Sequence, residues 1–169
     1  WGLLLCLPAL LIQAACDTQQ NVGSKFVKSE RVVASQGALI TIGAHESHDL
    51  AGTTLNIPPN ALAADTTITL ELGTQFIVDA ENQIAGPVAI WGPAGTRFLK
   101  PTIMTLPFSL RGDQLPSRLY IQVQEATGDR SVIDHSQVTL NESGRQVSFQ
   151  VACFPGFQPW SATQCASAS

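Results

Sequence analysis

The densest cluster of metal-ligand residue types in the sequence is the pentapeptide His45-Glu46-Ser47-His48-Asp49. Two imidazoles and a carboxylate could bind zinc or copper, which take nitrogen and oxygen ligands of this kind. In a strand, residues 45 and 48 would point to opposite faces, so only a turn could direct both imidazoles at one ion. Short ligand motifs also arise by chance. We therefore expect a solvated polar loop here, and the sequence predicts no metal site.

The sequence carries no pattern typical of acid–base or nucleophilic catalysis. Its carboxylates are scattered over polar stretches and turns, and the separation that a glycosidase pair requires cannot be read from sequence. No serine lies in a G-x-S-x-G nucleophile motif, and His135, beside Asp134, has no identifiable nucleophile as a partner. We therefore expect a protein that is not an enzyme, has no catalytic residues and needs no cofactor.

The cysteines fall into two groups by position. Cys6 and Cys16 lie in or directly after an apolar N-terminal stretch, whereas Cys153 and Cys165 lie near the end of the chain. In an oxidising compartment Cys153 and Cys165 could form a disulfide, and the prolines and glycine between them favour the turn that this needs. The alternative is two unpaired thiols. Two cysteines without close His or Cys neighbours make a poor zinc site, so the sequence favours the disulfide.

Trp91 and Trp160 are the residues best suited to stack on a sugar ring, with Phe154 and Phe157 as further members of such a platform. The alternative is that these side chains fill the core, because aromatic residues often dominate core energetics. An exposed aromatic patch would distinguish the two. We therefore keep Trp91 and Trp160 as candidate ligand-binding residues.

Residues 1–15 contain no charged residue and are rich in leucine. This stretch is too short to span a bilayer, which takes about 20 apolar residues, but it suits the hydrophobic part of a secretion signal. Ala14-Ala15-Cys16 resembles the lipobox of bacterial lipoproteins, although Gln13 stands where leucine is usual. Because residue 1 is not methionine, we interpret the stretch as a signal clipped at its start. The alternatives are a signal cleaved without lipid and a buried hydrophobic helix.

The lipobox resemblance implies export, cleavage before Cys16, and lipid on the Cys16 thiol and amino group. Several acyl chains inserting together would hold the protein more firmly than the marginal binding of a single chain. We then expect 16–25 to be a lipid-anchored flexible tether and 26–169 to be a single domain. The expected product is a membrane-anchored lipoprotein in the periplasm or on the cell surface.

Composition narrows the class of protein further. The formal net charge is −4, and the nine Lys and Arg residues form no basic patch, so we expect no nucleic-acid partner. Only 13% of the residues are charged, while Thr, Ser, Gln, Gly and Pro are plentiful. Such a composition is typical of an extracellular all-β domain.

Strand patterns recur at short intervals after the tether. The clearest is 66–72, where Ile68 and Leu70 alternate with Thr67 and Thr69. No window in the mature chain shows a convincing helical period, and Gly, Pro and Asp punctuate the strands. The pattern predicts an all-β, antiparallel β-sandwich of about eight to ten short strands. The strands are expected at 38–43, 53–57, 66–72, 76–79, 88–91, 103–108, 119–123, 138–140 and 147–151.

Two segments resemble a known domain family. One is LAGTTLNIPPNAL at 50–62 with DTTI at 65–68, and the other is Gly92-Pro-Ala-Gly95 followed by Phe98, Pro101 and Leu106-Pro-Phe108. Over residues 32–160 the chain is similar to the ZU-type β-sandwich of zonula-occludens proteins, ankyrins and netrin receptors, and more so to its secreted bacterial relatives.

The ZU-type resemblance has consequences for individual positions. Asn60 stands where the family usually has Gly, so we expect it to adopt the left-handed conformation. Proline after Ile57 should end a strand, and Gly92 and Gly95 should form a tight turn. The aromatic and aliphatic residues of the second segment should fill the core.

The C-terminal stretch departs from that family at one informative place. Some members end a strand with His-Phe-Ser and cut their own backbone before the serine, whereas Cys153 and Pro155 stand at the histidine and serine positions here. Proline has no hydroxyl to act as nucleophile, so we expect no self-cleavage.

These observations together favour a non-enzymatic cell-envelope lipoprotein that presents a β-sandwich as an interaction or structural module. The alternative is a protein that binds a glycan or other small ligand through exposed aromatic residues. An autoproteolytic or metal-dependent enzyme is the least favoured interpretation. The expected partners are the membrane, through lipid on Cys16, and an unidentified protein or glycan.

Overall fold

The computed structural model describes residues 23–73, 86–110, 121–124, 130–133 and 135–154 of the 169-residue chain. The predicted signal at 1–15, Cys16 and the strand expected at 76–79 lie outside these ranges. Trp160 and Cys165 lie outside them as well.

The described ranges contain ten strands, one 3-10 helix at His135–Gln137 and no α-helix. Every strand pair is antiparallel, which confirms the predicted fold class. None of these ranges holds a helix long and apolar enough to cross a membrane. The strands are β1 Ser24–Val32, β2 Ala38–Thr41, β3 Thr54–Ile57, β4 Thr66–Gly73, β5 Val88–Gly92, β6 Arg97–Pro107, β7 Ile121–Gln124, β8 Arg130–Ile133, β9 Val138–Asn141 and β10 Gln146–Cys153.

Two sheets form the sandwich, and a separate hairpin packs on them. The smaller sheet has the order β1-β4-β5, and the larger has the order β2-β3-β6-β10-β9. Strands β7 and β8 pair with each other. The hairpin contributes the buried Ile133 to the same core that the two sheets share.

The core lies between the sheets because apolar residues recur at every second position of the central strands. Ile68 and Leu70 on β4 are buried, and they belong to one cluster with Leu55 and Phe149 of the larger sheet. Full burial of a side chain of this size contributes about 1.5–3 kcal/mol relative to exposure. The alternation therefore fixes which face of each strand turns inward.

The two ends of the sandwich are built from different segments. The entry end holds the first residue of β1, Ser24, together with Gly73 and Pro107, and Gly86 lies beside Pro107. At the far end, the β1–β2 turn meets the β3–β4 loop, where Asn60 N donates to Ala34 O at 2.7 Å. The described chain thus enters at one end and reaches Phe154 at the other.

The first strand is the main difference from the predicted layout. β1 begins at Ser24, so the last two residues of the tether predicted at 16–25 belong to a strand. The strand patterns of the sequence began only at residue 38, and β8 was not predicted either. β6 begins at Arg97 rather than at 103. The remaining predicted strands within the described ranges are confirmed to within a few residues.

Candidate functional site

The outward face of the larger sheet carries a continuous group of uncharged side chains, apart from Arg97, which pairs with Cys153 where β6 begins. We call this surface the polar sheet face. None of its residues is buried, because they alternate with the core residues of the same strands. It consists of Leu39 and Thr41 on β2, Thr54 and Asn56 on β3, Ile103, Thr105 and Pro107 on β6, Gln146, Ser148 and Gln150 on β10, and Thr139 and Asn141 on β9.

A row of hydroxyl groups crosses the polar sheet face from edge to edge. In register, Thr41 pairs with Thr54, Thr54 with Thr105, Thr105 with Ser148, and Ser148 with Thr139. Neighbouring strands lie about 4.8 Å apart, so the hydroxyls repeat at roughly that spacing. Thr105 Oγ1 and Ser148 Oγ are hydrogen-bonded at 2.8 Å, which orients the middle of the row.

A second row combines aliphatic and amide side chains. Leu39 pairs with Asn56, Asn56 with Ile103, and Ile103 with Gln150. Leu39 is 64% exposed and Ile103 is 40% exposed, and they flank Asn56 on its two sides. Each amide offers donors and acceptors together. The row therefore presents apolar contact area beside groups that can hydrogen-bond in either direction.

The side chains of the polar sheet face can form hydrogen bonds and apolar contacts. Hydroxyl, amide and aliphatic groups do not titrate near neutral pH, so they supply neither a general acid nor a general base. A charged partner would find no opposite charge on these residues, and its own charge would lose hydration on contact. The face is therefore suited to an uncharged polar partner.

The loops at the far end are held by a dense set of hydrogen bonds. Asn60 has a φ of 60°, which confirms the left-handed conformation expected there. Lys100 Nζ donates to Pro59 O at 2.6 Å, and Leu99 N donates to Ala61 O at 2.7 Å. Strand β3 ends at Ile57 as expected. These contacts join the β3–β4 loop to β6.

Asp65 joins the same loop to the end of β1. Its Oδ1 accepts a hydrogen bond from Ala34 N at 3.0 Å, and its Oδ2 lies 3.2 Å from Arg31 Nη2. The hydrogen bond from the Ala34 amide, with a smaller contribution from Arg31, lowers the pKa of the Asp65 carboxyl. The carboxylate therefore acts as a structural acceptor in its ionised form.

The His45–Asp49 segment is a polar loop between β2 and β3. The His48 side chain is 96% exposed and lies 3.6 Å from the Asp49 carboxylate. Glu46 instead turns inward, where its carboxylate accepts from Gly43 N at 2.8 Å and lies 3.1 Å from Lys28 Nζ. Both contacts lower the pKa of Glu46, the amide more than the lysine. Across the described ranges, no three His, Cys, Asp or Glu residues are grouped to hold a metal ion.

Trp91 occupies a core position and not the exposed position that sugar stacking requires. It is 7% exposed and stacks on Phe154 with ring centroids 5.9 Å apart, and Phe98 meets Phe154 edge-on at 5.1 Å. The prediction of an exposed platform is therefore wrong for Trp91. Its Nε1 finds no hydrogen-bond partner within the described ranges. Trp160 lies outside those ranges.

Cys153 closes β10 beside this aromatic cluster. It is partly buried and pairs in register with Arg97. Cys165, its predicted partner, lies outside the described ranges, so the pairing remains a prediction. The predicted lipid site, Cys16, also lies outside them.

The polar sheet face contains residues that the sequence analysis did not select. Thr, Asn and Gln at alternate strand positions are ordinary solvent-facing residues when each strand is taken alone. Only the pairing of strands from 38–41 to 146–153 places them in continuous rows. Uncharged residues alternating with core residues in several strands were the available signal.

Comparisons with known proteins leave the site to be interpreted from its chemistry. No protein-family model matches the chain, and no curated protein matches it.

Proposed function

We propose that this protein is a non-enzymatic lipoprotein of the cell envelope that binds an uncharged partner through the polar sheet face. The observation that carries the proposal is the geometry of that face. Hydroxyl groups and amides lie in register across the larger sheet, and the exposed Leu39 and Ile103 lie among them. Exposed apolar side chains beside regularly placed polar groups are a feature of interaction surfaces.

The envelope location is proposed from the N-terminal sequence. Export and lipid on Cys16 would place the domain in the periplasm or on the cell surface. The ZU-type resemblance supports an interaction or structural role, without indicating a particular partner. We also propose that Cys153 pairs with Cys165, which is consistent with an oxidising compartment.

The binding role can be tested by site-specific photo-cross-linking in cells that make the protein. A cross-linking amino acid at Asn56, in the centre of the polar sheet face, should give a discrete adduct. Adding Ile103→Lys should abolish the adduct, because it places an unpaired charge in the contact. The control is the same cross-linker at Thr67, an exposed position on the outward face of the smaller sheet. Adducts of equal yield from both positions, or none from Asn56, would contradict the proposal.

The lipid anchor is tested by the intact mass of the full-length protein made in a bacterial host. The wild type should carry a lipid-sized increment on a chain that begins at Cys16. Cys16→Ala should lack the increment. A wild-type chain that begins near Cys16 without lipid would indicate a freely secreted domain.

A neutral glycan is a second candidate for the partner. Sugars combine hydroxyl groups with apolar C–H surfaces, which match the hydroxyl row and the pair Leu39 and Ile103. With Trp91 buried, these strand residues would replace the predicted aromatic platform, and Trp160 would remain as its only tryptophan.

Retention on immobilised neutral polysaccharides separates this candidate from a protein partner. The double variant Asn56→Ala with Gln150→Ala should lose the retention that the wild type shows. The matched pair Ser29→Ala with Thr67→Ala, on the other sheet, should keep it. If the wild type is not retained, a neutral glycan is not the partner.

A further inference from the structure

Phe26 is an exposed aromatic residue at the entry end of the sandwich. It is 60% exposed and is the third residue of β1. Phe26 pairs in register with Glu71 on β4, and Glu71 pairs with Ile90 on β5. All three side chains lie on the outward face of the smaller sheet. The Glu71 carboxylate accepts a hydrogen bond from Ser24 Oγ. Phe26 and Ile90, which flank this carboxylate on the two neighbouring strands, are both apolar.

One further apolar side chain, Val88 on β5, extends this surface beyond Ile90. A Cβ at Gly73 would lie 2.7 Å from Val88 Cγ1 and 3.4 Å from Ile90 Cδ1, so both side chains lean over the glycine. We call Phe26, Val88 and Ile90 the entry patch. It lies on the opposite side of the sandwich from the polar sheet face, because each occupies the outward face of its own sheet.

The chain itself limits how far the entry patch can be from a lipid anchor. Phe26 lies ten residues after Cys16. Even fully extended, ten residues cover at most about 35 Å. An exposed aromatic ring with aliphatic neighbours suits the boundary between lipid headgroups and acyl chains, where the ring contacts the chains.

We propose that the entry patch rests on the lipid surface, with Phe26 inserted at the headgroup level. This inference depends on the lipid anchor of the proposed function. It adds an orientation to that function. If the smaller sheet faces the bilayer, the polar sheet face on the larger sheet points away from the bilayer. The partner would then be met on the side remote from the membrane.

The test uses the full-length lipidated protein in vesicles of phosphatidylcholine and phosphatidylglycerol. Phe26→Trp adds a fluorescent reporter at the patch, and Leu39→Trp adds one at a comparably exposed position on the polar sheet face. Emission of the wild type, from Trp91 and Trp160, is subtracted from each. Replacing the phosphatidylcholine by its brominated form should quench most of the added emission of Phe26→Trp. It should leave that of Leu39→Trp unchanged.

Vesicle flotation distinguishes a failure of the proposed orientation from a failure of the lipid anchor. Protein that floats with the vesicles, but whose Phe26→Trp emission is quenched no more than that of Leu39→Trp, overturns the proposed orientation and leaves the anchor standing. Protein that does not float overturns the anchor, and the orientation with it.

Discussion

Gly37, in the β1–β2 turn, occupies a position that has no room for a side chain. Its φ is 68°, and a Cβ there would lie 2.2 Å from Ile57 O and 2.8 Å from Pro59 N. Both atoms belong to the backbone and cannot rotate away. Gly95 has a similar φ of 80°, but a Cβ there would meet nothing within 4 Å. The two glycines therefore separate backbone strain from steric overlap.

We predict that Gly37→Ala is much more destabilising than Gly95→Ala. The left-handed conformation alone should cost Gly95→Ala about 1–2 kcal/mol in the free energy of unfolding. Gly37→Ala adds overpacking against the β3 end, for a total of about 3 kcal/mol or more. Urea unfolding of both variants measures the difference. Equal midpoints would mean that the β3–β4 loop moves aside at little cost.

Trp91 shows what residue type can and cannot predict. Its ring chemistry suits sugar stacking and core packing equally well, and the sequence left both open. The decision comes from Phe154, at the end of β10, which stacks on Trp91 and is itself held edge-on by Phe98 from the start of β6. Burial of that kind depends on contacts between distant segments, which the sequence of β5 does not contain.

At the scale of elements, the side chains of β1 explain why this strand was not predicted from the sequence. Lys28 and Glu30 lie on its inward side, opposite the buried Leu70 and Ile68. Lys28 Nζ donates to Thr41 O of β2 at 2.9 Å and forms an ion pair with Glu46 of the β2–β3 loop. The charge of the ammonium is therefore compensated by groups that belong to the larger sheet and its loop. Inward charges protect an edge strand from pairing with other chains, but they remove the apolar alternation by which strands are recognised.

We predict that Lys28→Met lowers stability by about 1 kcal/mol, because it removes a partly shielded ion pair and a hydrogen bond to Thr41 O. It should also increase aggregation, since the edge loses its inward charge. Lys25→Met, on the same strand but exposed, is the matched control and should change stability by less than about 0.5 kcal/mol. Urea midpoints and light scattering report the two effects. Similar behaviour of both variants would show that Lys28 does not bridge the sheets.

Two loop carboxylates, Glu46 between β2 and β3 and Asp65 between β3 and β4, should make the stability of the fold depend on pH. Glu46 and Asp65 have lowered pKa values in the folded protein, chiefly through amide hydrogen bonds from Gly43 and Ala34. Folding therefore favours their ionised forms, and the resulting stability is present above the ordinary carboxyl pKa of about 4 and lost as the pH falls below it. The wild type should lose more stability between neutral pH and about pH 3 than Glu46→Gln with Asp65→Asn. Parallel urea midpoints across that range would contradict this.

At the scale of the whole molecule, the sequence was sufficient for the all-β class and for most strands. Alternation in 66–73 and turn residues such as Asn60 act locally, so they can be recognised in one segment at a time. The polar sheet face could not be predicted in this way. It depends on the register that sets Asn56 between Leu39 and Ile103, which arises from long-range pairing.

The proposed disulfide between Cys153 and Cys165 would link two segments of the chain covalently, so its test belongs to the whole molecule. If Cys153 pairs with Cys165, the disulfide fixes the C-terminal segment to the end of β10, beside the Trp91–Phe154 stack. Cys165→Ser should then leave Cys153 open to alkylation without reductant, whereas the wild type should gain no alkyl group on either residue. Loss of the closed loop should lower the free energy of unfolding by about 3 kcal/mol, and reductant should lower that of the wild type to a similar value. Reductant should not affect Cys165→Ser. If Cys153 stays protected in that variant, its partner is another cysteine, and the bond would lie between chains or with the N-terminal segment.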